Sequence, residues 1–159
     1  MHVSTFERSA EIAAPAAALR AWHFEAGAFE RLNPPWEKAR VIESPGELVD
    51  GARAVIEVGI GPLRTRWVAE HEITADGFID RQVKGPFAFW EHQHRFLEVD
   101  DSSSRLVDSI RYRLPLGILG RIFGGPLVRS KLDRMFRYRH DVTRAALEQS
   151  SESAVGDAS

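Results

Sequence analysis

Apolar and polar positions alternate over most of the central chain, most clearly from Trp90 to Phe96. There Trp90, His92, His94 and Phe96 share one parity, and Glu91, Gln93 and Arg95 the other. A period of two marks a strand whose successive side chains face opposite ways. The two large aromatics assign the first set to a covered face, and two imidazoles go in with them. Each imidazole nitrogen there needs a partner, so this face carries chemistry as well as packing.

The same periodicity predicts a first strand over Thr5–Ala13, interrupted on its apolar side by Arg8. Pro15, the helix formers of Ala16–Glu25 and the stop at Gly27 predict a helix. Ala28–Leu32 follows as a second, short one that Asn33-Pro34-Pro35 ends. Strands are then expected over Trp36–Glu43, Arg53–Ile60, Leu63–Ile73, Phe78–Lys84, Phe89–Val99 and Arg105–Leu114. Turn dipeptides such as Asp50-Gly51, Gly61-Pro62 and Asp76-Gly77 separate them.

Pro115–Pro126 is apolar but rich in glycine, which argues against a stable helix. The stretch from Leu116 to Gly125 is expected to be either an edge connector or a mobile lid, with Ile118, Leu119, Ile122 and Phe123 free to touch ligand or membrane. From Leu127 to Leu147 the period becomes helical, with Leu132, Met135, Phe136, Arg139, Thr143, Ala146 and Leu147 along one stripe. Gln149–Ser159 is small and polar and is expected to be a disordered tail. The order predicts an α+β domain over residues 1–148, with a tail at 149–159. In it a curved antiparallel sheet of seven strands, with two short helices after strand 1, buries one face under the long C-terminal helix.

Sorting each strand by where its arginines and glutamates fall leaves an inward set. Trp67, Phe78, Trp90 and Phe96 supply walls, and His71, Asp80, Gln82, His92, His94, Asp108, Ile110 and Tyr112 accompany them. Aromatic walls with a few polar groups are the composition of a small-molecule pocket. The expected ligand contacts are therefore Trp67, His71, Phe78, Asp80, Gln82, Trp90, His92, His94, Phe96 and Tyr112, joined by Phe136 and Arg139 from the helix.

Three readings of the histidines stand side by side. They can be structural groups hydrogen-bonded in the core. His94 can work with Asp80 or Asp108 as an acid–base pair. His92 and His94 also have metal-ligand spacing, with His71 or Asp80 as a third ligand. Since no third ligand is fixed by spacing, no metal and no cofactor are expected. No catalytic residue is assigned beyond the candidates His94, Asp80 and Asp108. Arg8 could neutralise Asp108 if the first and last strands pair, and Arg139 or His140 could reach inward from the helix.

Composition narrows the function classes. A chain of 159 residues, 43% apolar, suits one domain with a real core. A net charge of −2 provides no field for nucleic acid or anionic membranes. Cysteine is absent, which excludes disulfides and thiolate metal sites. The N-terminus does not read as a signal peptide, and no window approaches the roughly 18 apolar residues of a membrane span. A cytoplasmic location is expected. There is no phosphate-binding glycine loop, dinucleotide fingerprint, nucleophile elbow or aromatic–basic platform for RNA.

Several local motifs go beyond this. Gly85-Pro86-Phe87 precedes Trp90-x-His92-x-His94-x-Phe96, and Tyr112-x-Leu114-Pro115 follows. Together with the element order, they resemble the START-like (SRPBCC) superfamily of helix-grip proteins. A bacterial branch of it is similar in Ala26-Gly27-Ala28-Phe29-Glu30-Arg31-Leu32-Asn33-Pro34-Pro35-Trp36-Glu37, in Phe78-x-Asp80-x-Gln82 and in Phe136-x-Tyr138-Arg139-His140. In some relatives this domain is fused to a protein like a nucleotide-sugar epimerase and labelled a cell-division inhibitor. The resemblance spans about residues 3 to 148. It implies a cavity between sheet and C-terminal helix for a small hydrophobic or amphipathic molecule such as a lipid, polyketide or quinone. Some members are aromatase or cyclase enzymes and many only bind and carry, so binding leads here. The alternatives are a cyclase or dehydratase using a His–Asp pair, and a regulatory module acting through a protein partner that is itself epimerase-like. The superfamily has no universal catalytic residue to carry over.

Overall fold

The computed structural model describes residues 2–60 and 62–156, without the side chains of residues 60, 117–119, 121–123 and 150–156. Seven strands form one antiparallel sheet: β1 (Ser4–Ile12), β2 (Ala39–Glu43), β3 (Arg53–Ile60), β4 (Leu63–Thr74), β5 (Gly77–Lys84), β6 (Phe89–Asp100) and β7 (Ser103–Arg113). Their order is β1-β7-β6-β5-β4-β3-β2. The chain therefore crosses from one edge to the other through α1 (Ala16–Phe24) and α2 (Ala28–Leu32), while the later strands follow as a meander. Gly61 of the expected Gly61-Pro62 turn lies outside the described residues.

Register decides which side chains become neighbours. Arg8 stands opposite Asp108, His94 opposite both Phe78 and Asp108, and Asp80 opposite both His71 and His92. The hairpin before β5 needs glycine, because a Cβ on Gly77 would lie 1.8 Å from the carbonyl oxygen of His94. The outer face is laced with ion pairs, including Arg64–Glu57, Arg53–Glu70, Arg81–Glu72 and Arg111–Glu91. That charge sets the parity, since the opposite face is the one left to cover.

The cover is α3 (Gly117–Gly156), which packs against β1 and β7. Two clusters fill the interior. One gathers Ile12, Leu19, Phe78, Phe96, Leu106 and Leu147 beneath α1. The other gathers Phe6, Trp90, Ile110, Tyr112, Leu132 and Phe136, with Trp67, Phe87 and Met135 at its margin. Burying a side chain such as Phe136 stabilises the fold by about 1.5–3 kcal/mol. The inner faces of β2–β4 are covered less well: Val41, Ile56, Val58 and Trp67 are only half-buried.

Three expectations are corrected here. Strand β2 begins at Ala39 rather than Trp36, because Trp36 leaves the sheet to stack edge-on to Tyr138 and under the Arg134 guanidinium on α3. The glycine-rich segment is helical from Gly117 on, with Pro126 inside the helix. Its glycines serve close approach: a Cβ on Gly120 would lie 2.0 Å from the carbonyl oxygen of Pro115, and one on Gly124 would lie 3.3 Å from Leu114. The side chains of Ile118, Leu119, Ile122 and Phe123, named for a lid, lie outside the description. The expected disordered tail is likewise helical as far as Gly156, there being no proline or interior glycine to end the helix after Leu147. Residues 157–159 are outside the described residues.

Candidate functional site

The alternation of β6 turns His92 and His94 inward, where the rings lie 3.7 Å apart between centroids. The neighbouring strands bring carboxylates to both sides of them, Asp80 from β5 and Asp108 from β7. Asp108 Oδ1 accepts from His92 Nε2 at 2.8 Å and lies 3.0 Å from His94 Nδ1. Its Oδ2 accepts from His140 Nε2 on α3 at 2.6 Å. His94 Nε2 lies 3.3 Å from Asp80 Oδ2, and Asp80 Oδ1 is 2.5 Å from His71 Nδ1 on β4. Four imidazoles and two carboxylates thus form one chain across β4, β5, β6, β7 and α3. His92, His94, Asp108 and His140 are buried, whereas the side chain of Asp80 keeps 24% exposure.

Aromatic rings wall the network. Phe78 stacks on His94 at 4.1 Å, and Phe136 meets His92 edge-on at 5.1 Å. Electrostatics follow from this seclusion. Burial disfavours the Asp108 carboxylate, but hydrogen bonds from His140, His92 and His94 outweigh it and hold its pKa well below the usual range. Asp80 is lowered in the same way: burial opposes, and His71 and His94 prevail. Burial also opposes charge on His94, yet hydrogen bonds to Asp108 and Asp80 raise its pKa to about 9. His92 goes down to about 4, by burial and then by the neighbouring charge of His94.

The residues expected at a site divide between several jobs. His71, Asp80, His92 and His94 come together in the network. Phe78 and Phe96 belong to the cluster beneath α1, and Trp67, Trp90, Tyr112 and Phe136 to the other. Gln82 does not offer a free polar end: its amide donates to the Phe87 carbonyl at 2.8 Å and accepts from the Phe87 N–H at 3.3 Å, which closes the β5–β6 turn. Arg8 pairs with Asp133 on α3 at 2.7 Å, so it does not neutralise Asp108, whose partners are the three imidazoles. Arg139 lies over the rings of Phe136 and Phe29 with its Nε unpartnered, and burial lowers its pKa.

Two contributors escaped sequence reasoning. Phe87 packs on Trp67 and Trp90, at 5.5 and 4.7 Å. His23 is buried on α1, bonded through Nδ1 to the Leu19 carbonyl at 2.9 Å and packed on Phe96. His140 was named only in passing, although it stands four residues after Phe136 and so on the same helix face.

Two concavities open at the rim. One, of about 330 Å³, is lined by Trp36, Glu37, Lys38, Gly59, Lys131 and Arg134, between the β2–β3 edge and α3. The other, of about 220 Å³, is lined by Asp50, Gly51, Glu70, His71, Glu72 and Arg81. No described helix is long and apolar enough to cross a membrane.

Residues 12–136 match the family described as polyketide cyclase / dehydrase and lipid transport. Among solved structures, the Zhui aromatase/cyclase from Streptomyces sp. R1128 superposes with a TM-score of 0.75 at 14% identity, covering 96% of this chain and 98% of that one. A START superfamily protein from Mycobacterium smegmatis gives 0.67 at 14% identity, over 91% and 97%. The nucleoside-diphosphate sugar epimerase from Corynebacterium glutamicum gives 0.72 at 25% identity, over 94% of this chain but 30% of that one. The first two likenesses establish a shared helix-grip fold. Nothing matches among curated proteins.

Proposed function

On the premise that this chain belongs to the polyketide cyclase / dehydrase and lipid transport family, we propose that it binds a small hydrophobic or amphipathic molecule between its sheet and α3. The observation that carries the reading is the uneven cover of the inner face. A 330 Å³ concavity lined by Trp36, Gly59, Lys38, Lys131 and Arg134 opens between the β2–β3 edge and α3. On the inner face of β3 and β4, Ile56, Val58 and Trp67 are only half-buried, while Trp90, Ile110 and Tyr112 of β6 and β7 are buried with Leu132 and Phe136 of α3. An apolar body placed there would gain about 25 cal/mol for each Å² it removes from water. Lys38, Lys131 and Arg134 at the mouth suit an acidic or polar end. The cytoplasm is the proposed location.

Uptake of a fluorescent fatty-acid probe, read as blue-shifted emission and tryptophan quenching, tests this. Saturable one-to-one uptake that weakens at least tenfold in Trp67→Ala is expected. A folded protein that takes up neither the probe nor any lipid, quinone or polyketide-like aromatic in a thermal-shift screen would overturn it.

A second reading, acid–base chemistry of the cyclase or dehydratase type, is favoured by His94 standing between two carboxylates. Exchange of the α-proton of a bound β-diketone with solvent deuterium, lost in His94→Gln while binding survives, is its signature. The likeness to part of an epimerase supports an epimerase-like protein as partner. Co-elution of the two on gel filtration is the expected result.

A further inference from the structure

Asp80, His92 and His94 each bring one ligating atom into a group whose members all lie within 4.8 Å of one another. The way their remaining atoms are used distinguishes this group from ordinary core hydrogen bonding. His92 spends Nε2 on Asp108 and His94 spends Nδ1 on the same oxygen. That leaves Nδ1 of His92, and Nε2 of His94 once an ion displaces the proton it shares with Asp80, as the lone pairs for a ligand. The second of these lies 3.3 Å from Asp80 Oδ2. Two ligands at about 2.0–2.1 Å from a tetrahedral zinc are about 3.3 Å apart. The other oxygen of Asp80 is held by His71. Every member of the trio therefore has an outer partner that fixes its orientation, as ligating histidines and carboxylates do.

Charge and donor type narrow the ion. Two carboxylates, Asp80 and Asp108, face each other across two imidazoles, walled by Phe78 and Phe136. The Arg139 guanidinium acts on both carboxylates as well. A dication between the imidazoles and Asp80 would take the place of the proton that His94 shares with the two carboxylates. Two nitrogens and one oxygen, with no cysteine in the chain, suit zinc or ferrous iron. Calcium would want six or more oxygens, and copper(I) would want sulfur.

We propose that Asp80, His92 and His94 bind one divalent transition-metal ion, with Asp108 and His71 as outer partners and the remaining coordination position on the partly exposed Asp80 side. The expectation of no metal rested on the lack of a third ligand in the spacing, and the β5–β6 register supplies it. This inference does not rest on the lipid-binding reading, because metal uptake is read without any organic ligand.

The test is a cobalt titration of chelator-treated, tag-free protein. One equivalent of Co²⁺ should bind, develop visible ligand-field bands of a four- or five-coordinate site, and be displaced by Zn²⁺. Zn²⁺ should also raise the melting temperature of the same protein. Asp80→Asn and His92→Gln should weaken cobalt binding at least tenfold in variants that still melt cooperatively. Wild-type protein that is folded but shows neither bands nor a zinc-dependent melting shift overturns the proposal. So do bands that persist in both folded variants, since the metal then sits elsewhere. Should the variants not fold, the wild-type titration and melting shift decide alone.

Discussion

Asp108 on the last strand and His140 on the covering helix are joined by a 2.6 Å hydrogen bond between buried atoms, and this bond ties sheet to helix at the centre of the molecule. The same carboxylate serves His92 and His94. Removing it strands three imidazole donors in a dry interior. Asp108→Ala is expected to cost about 3–5 kcal/mol. Urea unfolding of metal-free protein measures this, and a loss below about 1 kcal/mol would show that the network is not held together by Asp108.

Below about pH 6.5, where the raised His94 is charged in folded and unfolded chain alike, the pH dependence of stability has a definite sign. Burial lowers the pKa of His23 to about 4, and His92 is lowered to a similar value. Each therefore stays neutral in the folded chain at pH values where the unfolded chain, titrating near 6.5, takes up a proton. Their contribution is full above about pH 6.5, falls as the pH drops towards 4, and levels off below that. One such histidine is worth about 3 kcal/mol over the window. Denaturant titrations of chelator-treated protein at pH 7, 5.5 and 4 should show this decline. In His23→Gln, which removes one of the two protons, the slope should be about half as steep.

Phe136 is almost fully buried and touches the rings of Phe6 and His92. Phe136→Ala opens a cavity where α3 meets the sheet and is expected to destabilise by about 3–5 kcal/mol. A shift of the thermal midpoint of only a degree or two would mean that the helix is not seated as described.

Gly120 gives a prediction whose sign separates two accounts of its segment. In a solvent-exposed helix, Gly→Ala stabilises by about 1 kcal/mol. Here the added methyl would collide with the Pro115 carbonyl, so Gly120→Ala should destabilise. Chemical denaturation reads the sign directly, and a gain in stability would show that the helix start does not pack on Pro115.

Much of the architecture was legible because it rests on short-range rules. Period two over β3 to β7, and turn pairs such as Asp76-Gly77, marked the strands within a residue or two. The outward arginines and glutamates named the covered face, since a charged side chain stays in water unless paired. Chain order and the stripe around Phe136 identified α3 as the element that covers it. The glycine-rich start of α3 was misread because glycine has two uses. Local propensity sees its cost to a helix, and only the fold shows the Pro115 carbonyl that leaves no room for a side chain.

Sequence by itself determined which residues face inward, because alternation and charge are properties of each strand alone. Tertiary structure decided who meets whom inside. Asp108 gathers His92 and His94 from the strand before it and His140 from the covering helix, Arg8 goes to Asp133 instead, and Gln82 turns back on its own loop. Parity has only two values, so it sorts side chains between faces. Partners on one face are chosen by register, sheet curvature and the seating of α3, and those are settled by the whole chain folding at once.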